Sequence, residues 1–264
     1  MKTRIKNIVK VMEIHSLLRV DSSKRKAEKY FSYEDGITHF MNVILNNRNF
    51  ILDKQMFTFE KFGKVLNIYI GNDLGFCGNF NSSINKLVKT DKDSDKIIIG
   101  KKINHKVDNL LIYLTKEEYF DNISEVEKLL YDAIINNDYK EVNVIYNHYY
   151  NISKIELISK QLIPLKKMDK LDSKEYKDDF VVEGDISDIL VNLIVLYIMC
   201  ELKVAIENSY ASENIMRRSI TKESLKRIEE IELEAYRDEK RIKKNKDFKI
   251  TLENSEKIRK LKKE

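Results

Sequence analysis

From Asp185 to Glu264 the chain contains neither glycine nor proline. Ile186, Ile189, Leu190, Leu193, Leu196, Cys200, Ala205 and Ile206 recur at spacings of mostly three or four. The pattern continues more thinly through Tyr210, Ile215, Met216, Ile220, Leu225, Ile228, Ile231 and Tyr236. Such spacing keeps one helical face apolar. Charged residues fill the intervening positions between Lys222 and Lys240. An unpunctuated pattern of this length predicts a coiled-coil or rod helix rather than an ordinary globular one. Most of this stretch as one helix would span roughly 90 Å or more. A rod that long cannot bury its stripe alone, so it demands a partner helix.

The first part of the chain supplies the candidate. Up to about Asn49 there is no proline and one glycine, Gly36. Ile5, Ile8, Met12 and Leu18 sit near one stripe, which Val9, Val11, Ile14 and Leu17 widen. Tyr30, Phe31, Tyr33, Ile37, Phe40, Met41, Ile44 and Leu45 continue it. The expectation is a second long helix, bent near Gly36, antiparallel to the first. Helices of an ordinary bundle run about 8–20 residues between loops, and no such punctuation occurs here.

The basic start (Lys2, Arg4, Lys6, Lys10) is not followed by an uninterrupted apolar region, so no secretory signal is expected. The densest apolar run, Ile189 to Cys200, is broken by Asn192 and falls short of the roughly 20 residues a bilayer requires. Cys77 and Cys200 fall in regions read as different domains and are expected as free thiols. A net charge of +5 is small beside 48 basic and 43 acidic residues. That is a mixed-charge surface rather than a nucleic-acid footprint. The basic cluster Lys257 to Lys263 reads as a solvated helix end.

The middle differs in kind. Val65 to Ile70, Lys96 to Gly100, Leu110 to Leu114 and Val142 to Tyr146 are short, largely apolar runs that read as buried strands. Ile152 to Leu165 reads as an edge strand. Helical patterns lie between them, at Ser82 to Val88 and Ser124 to Asn136, the latter with Glu127 at capping-box spacing from Ser124. Alternating strand and helix predict a small, mainly parallel, Rossmann-like α/β domain. The expected organisation is an N-terminal coiled-coil helix (1–55), an α/β foot (56–165), a connector (166–184) and a C-terminal coiled-coil helix (185–264). The fold class is α/β, with the small domain inserted in a long antiparallel coiled coil.

Three of the seven glycines fall in one loop, Gly71-Asn72-Asp73-Leu74-Gly75-Phe76-Cys77-Gly78-Asn79-Phe80-Asn81. It lies after a strand and before a helix, where phosphate loops occur, but lacks Gly-Lys-Ser/Thr and the G-x-G-x-x-G spacing. It reads as a tight turn that packs helix on strand. The four histidines (His15, His39, His105, His148) show no metal-ligand spacing. Ser, Asp and His form no hydrolase-like cluster. No catalytic, cofactor or metal residue is expected in this chain. Composition and periodicity stop at a two-helix rod carrying a small α/β domain.

The loop resembles the D-R-G-L-C-G-x-x-N signature of the gamma subunit of F-type ATP synthases, the central stalk of that rotary motor. Gly71, Asp73, Gly75, Cys77, Gly78 and Asn81 carry the match. Thr3 to Ile8 with Glu13-Ile14 is similar to that family's start. Gln161-Leu162-Ile163-Pro164-Leu165 resembles its Q-L-L-P-L, and Ala211-Ser212-Glu213 its A-S-E, with Arg218 close to the arginine that follows. Tyr236 and Arg241 resemble its Y-N-x-x-R, and Ile250-Thr251 its late I-T. Departures are also plain: Leu74 stands at the signature arginine, Asn79 at the second glycine of C-G-G, and Ile242 at a glutamine. Arg218 to Glu223 replaces the family's M-K-x-A-T-D-N run. An apparent insertion separates Arg241 from Ile250, and Lys257 to Glu264 replaces an apolar tip.

The resemblance implies a divergent gamma-like rotor shaft, possessing no nucleotide site of its own. ATP and magnesium would sit on a hexamer of alpha-like and beta-like partners, with one copy of this chain per hexamer. An asymmetric shaft then favours a different state in each catalytic subunit as it turns. Leu18 would correspond to the contact with the catalytic lever helix, and Arg241 and Thr251 to polar catch contacts. The foot would meet an epsilon-like subunit and a membrane ring or other output proteins, at the cytoplasmic face of the membrane. Output would be proton-coupled ATP synthesis or hydrolysis, or mechanical work such as gliding. Gamma-like paralogues of the mycoplasma kind would suit the Lys, Asn and Ile bias. The alternatives are a free-standing coiled-coil scaffold that self-associates and a nucleic-acid binder using the basic tail, which would bind with steep salt dependence.

Overall fold

A computed structural model of the chain describes residues 2–46, 63–164 and 184–261. Residues 47–55 of the expected first helix, and the expected connector apart from Gly184, lie outside the described residues. Two helices dominate. Helix α1 spans Lys2–Asn46 and continues through Gly36; helix α5 spans Ile186–Leu261, 76 residues without interruption. At about 1.5 Å per residue they measure roughly 70 Å and 110 Å. They run antiparallel: Tyr30 lies near Lys203, Glu13 near Arg218, and Lys6 near Glu229 and Glu232. Residue numbers rise along one helix as they fall along the other.

The seam of this pair differs from the expected stripe. Along the seam the buried positions of α1 are Ser16, Val20, Ser23 and Ala27, spaced four, three and four residues apart, and Met41 is buried further on against the foot. Nearer the start of α1, where Lys6 meets Glu229 and Glu232, α5 turns in Thr221, Leu225, Ile228, Glu232 and Ala235 at the same alternating spacing. This is the repeat of a coiled-coil seam. Small seam residues let the two backbones approach closely. The large apolar residues read as the stripe, Ile5, Ile8, Val11, Ile14, Leu17 and Leu18, are instead exposed on the outer side of α1.

Between the helices lies the foot: β1 (Lys64–Ile70), α2 (Ser82–Thr90), β2 (Asp95–Ile99), β3 (Leu110–Leu114), α3 (Lys116–Asp121), α4 (Ile123–Ile135), β4 (Tyr139–Asn151) and β5 (Lys154–Ile163). The sheet order is β3-β2-β1-β4-β5, parallel except for β5, which pairs antiparallel with β4 at one edge. Strand alternation splits the core in two. Leu66, Ile68 and Ile70 of β1 face Tyr119, Val126 and Leu130 of α3 and α4 and Ile194, Ile198 and Leu202 of α5. Tyr69, Ile98 and Ile145 face Ile84 and Val88 of α2 on the other side. A sheet covered on both faces explains why its strands read as continuous apolar runs.

Two local details differ from expectation. The capping box belongs to the short α3: Thr115 Oγ1 accepts from Glu118 N, and Thr115 N donates to Glu118 Oε2 at 2.7 Å. Ser124 lies inside α4, which starts after Asn122. The apolar stretch of α5 is long and apolar enough by composition to cross a membrane, yet two-thirds of its most apolar window is buried, as in a core helix.

Ile198 is fully buried between sheet and shaft. Ile198→Ala is expected to cost about 2–5 kcal/mol, read as a lower urea midpoint. A cost near zero would contradict the docking of α5 on this face.

Candidate functional site

The glycine-rich loop leaves β1 at the point where the sheet order reverses. Gly71 N donates to Ile99 O at 2.8 Å, and Gly71 and Gly100 touch backbone to backbone. A Cβ on Gly71 would meet Ile103 at 2.6 Å, and one on Gly100 would meet Gly71 C at 2.8 Å. Gly78 has φ +56°, the left-handed region that glycine adopts at little cost. Its missing side chain also admits Ile220 of α5, whose Cδ1 would be 3.2 Å from a Cβ there.

Asp73 accepts Lys101 N at 2.7 Å on Oδ1 and Lys116 N at 2.9 Å on Oδ2. It thereby ties the loops after β1, β2 and β3 together. Asn72 Nδ2 donates to Leu74 O and lies against Cys77 Sγ, while Asn81 Nδ2 donates to Asn72 Oδ1. Asn81 O then accepts Asn85 N in the first turn of α2. Cys77 is 3% exposed, and burial pushes its thiol up, away from the reactive thiolate. Cys200 is likewise buried and free.

The other half of the junction is on α5. Ala211, Ser212 and Glu213 are all buried. Ser212 Oγ donates to Asn147 O of β4 at 3.0 Å, and Asn147 Nδ2 donates to Phe80 O of the loop. Glu213 pairs with Arg217 one turn on. Arg217 then donates from Nε to Gly75 O at 3.2 Å and from Nη1 to Asn214 Oδ1 at 2.6 Å. Burial raises the Glu213 carboxyl above its ordinary range, opposed by the Arg217 guanidinium. The arginine in this junction is Arg217; the neighbouring Arg218 reaches instead toward Glu13 of α1 at 3.9 Å. The spacing of four from Glu213 was the available signal. Loop and helix together form a dock that fixes foot to shaft.

The remaining expected contact residues stand elsewhere. Leu18 is 61% exposed on the outer face of α1. Arg241 and Thr251 lie on α5 beyond the start of α1, where every residue from Tyr236 to Ser255 is exposed. Arg241 faces Asp238 at 3.9 Å, and Thr251 Oγ1 donates to Asp247 O of its own helix at 2.8 Å. Lys6 anchors the start of α1 between Glu229 and Glu232, at 3.5 and 2.9 Å. Among the described residues, no group of three or more His, Cys, Asp or Glu is placed to hold a metal ion.

Residues 2–243 match the family model described as ATP synthase. The chain belongs to that ATP synthase family. Its curated relatives are gamma chains. That of Flavobacterium psychrophilum is 26% identical over 231 residues, covering 81% of this chain and 80% of the relative. That of Mycoplasma mobile is 27% identical over 241 residues, covering 86% and 83%. The fold is shared with a Tetrahymena thermophila mitochondrial ATP synthase central stalk, with TM-score 0.53, 18% identity and coverage of 82% of this chain and 99% of that one. As a gamma-type chain, the protein joins its foot to its shaft through the glycine-rich loop and the Ala211-Ser212-Glu213 segment.

Arg217→Ala removes one partner of a buried pair and is expected to destabilise the fold by about 3–5 kcal/mol. Limited proteolysis should then release the foot faster than in the parent chain. Arg218→Ala should cost no more than about 1 kcal/mol and leave the proteolysis rate near that of the parent chain, because its pairing with Glu13 is long, 3.9 Å, and only half-buried.

Proposed function

We propose that the chain is the turning shaft of a rotary ATPase, one copy within a hexamer of alpha-like and beta-like subunits. ATP and magnesium are held by those partners, and this chain contributes stiffness and asymmetric contacts rather than catalysis. Its place is at the cytoplasmic face of a membrane, as the stalk of a membrane-associated complex. The foot then meets a ring or an epsilon-like subunit, and no nucleic acid is involved.

One observation carries this reading beyond family membership. Past the Lys6 clasp, α5 is exposed from Tyr236 to Ser255, roughly 30 Å of helix with no partner among the described residues. Most helical stability in proteins comes from packing an amphipathic face, and this stretch has none packed among the described residues. It also presents Ile242, Phe248, Ile250 and Leu252 to solvent. Such a segment is suited to enclosure by a partner, and the outer face of α1 offers a second apolar strip at Ile8, Val11, Ile14 and Leu18. A shaft that enters a sleeve at one end, and is gripped along α1 lower down, would use both.

The test is a double variant, Ile242→Asp with Phe248→Asp. Both sites are distant from the foot, so the thermal midpoint of the isolated chain should not move. Recovery of the chain with nucleotide-binding partners should fall about tenfold or more, since each side chain forfeits its burial in the sleeve. Unchanged recovery would remove the projecting helix from the partner contact. In a complementary experiment, Ala211→Pro should break α5, at a cost of about 3 kcal/mol or more. Normal assembly and ATP turnover by that variant would contradict the rigid-shaft reading.

A further inference from the structure

A cavity of about 510 Å³ lies where foot and shaft meet. The shaft lines it with Lys26 and Tyr30 of α1 and with Glu207 and Tyr210 of α5. The foot contributes Asp73 and Leu74 of the signature loop and Lys116, Glu117 and Phe120 of α3. Its size falls within the range of roughly 300–1,000 Å³ typical of small-molecule sites.

Glu207 is the informative residue. It is 1% exposed, yet only half of its carboxylate is satisfied. Oε1 pairs with Lys116 Nζ at 3.1 Å. Oε2 is buried and has no hydrogen-bond partner among the described residues. A buried carboxylate oxygen left without a donor is costly. Lys116 does not supply a second donor from the foot: its ammonium sits 3.8 Å from the Tyr210 ring centroid and is held there between ring and Oε1. The group that completes Oε2 must therefore bring an N–H or O–H of its own.

The walls select among donors. Tyr30, Phe120 and Tyr210 place three aromatic rings around the cavity, and ring faces attract cations. Glu117 adds an exposed carboxylate. Asp73 spends both its oxygens on backbone amides but keeps its negative charge close by. Lys26 is the opposing charge, exposed to solvent.

We propose that this cavity binds a compact organic cation, a primary ammonium or guanidinium group that donates to Glu207 Oε2 and lies among the aromatic rings. Because foot and shaft both line the cavity, such a cation bridges them and stiffens their junction. Its source is either a free amine or a lysine or arginine side chain supplied by a neighbouring subunit.

The experiment is calorimetric titration of the full chain with putrescine and, separately, agmatine. Saturable binding is expected. Glu207→Gln should weaken it about tenfold or more, because a hydrogen bond to a buried charge is lost. Glu117→Gln should weaken it about two- to fivefold, and Lys26→Gln should strengthen it by a similar factor, as screened charges near a surface do. Both of these side chains are exposed, so the test survives if Glu207→Gln does not fold. The same titration on the complex purified from its own cells separates the sources. Binding there identifies a free amine; binding by the isolated chain alone identifies a neighbour's side chain. No saturable binding to the isolated chain overturns the proposal. So does binding that Lys26→Gln weakens, which would mark an anion site. The primary measurement uses this chain alone, so its failure is independent of whether the chain enters a hexamer.

Discussion

A helix of 76 residues cannot satisfy itself, and the rest of the molecule follows from what each part of α5 must be covered by. Its first third is the most apolar and packs on the sheet through Ile194, Ile198 and Leu202. Its middle is covered by α1 and by the signature loop. Its last part is covered by nothing within the described residues. The backbone hydrogen bonding is continuous, so the three environments are rigidly linked. A push on the projecting end is delivered to the foot through one uninterrupted element. The weak point of such a device is the joint between element and domain. That joint is where the chain concentrates buried polar groups, Ser212, Glu213, Arg217 and Glu207, with Asp73 and Lys116 half-buried beside them. Buried pairs of this kind are poor sources of net stability but hold a single geometry, because breaking one strands a charge. A second such tie occurs further along, where Lys160 of β5 reaches Glu201 of α5, with Glu34 of α1 close enough for burial and Glu201 to raise its carboxyl.

Much of this was legible in the sequence, for definite reasons. The absence of glycine and proline after Asp185 left no place for α5 to stop. The apolar runs of β1 to β4 marked buried strands, and Ile152 to Leu165 marked the edge strand β5. The α1 stripe was misread because large apolar residues dominate a periodicity search. Its real seam is made of Ser16, Val20, Ser23 and Ala27, small residues that, Val20 apart, carry little hydropathy but fit between close helices. The large residues face outward, which is the arrangement of a chain whose surface is meant to be covered by another. Helix α3 was missed because it is one and a half turns long and begins with a capping box rather than an apolar repeat.

At the candidate site, the loop residues were recognisable but their work was not. Gly71, Gly78, Asp73, Asn81 and Cys77 are explained by close approach, a left-handed turn, loop tying, the first turn of α2 and burial respectively. Their partners Arg217, Ser212 and Lys116 are distant in sequence, and pairings of that kind leave no local pattern. Glu207 is the sharpest example, since its neighbours give no hint that it will be buried with one oxygen open.

The central claim is that this chain is a shaft for other subunits rather than a structure complete in itself. The most direct measurement is the intact mass of the complex recovered with the tagged chain from its own cells. One copy of this chain with three copies each of two nucleotide-binding subunits is the predicted result. Recovery of the chain alone, or as a symmetric pair of itself, would contradict the account and leave a coiled-coil scaffold in its place.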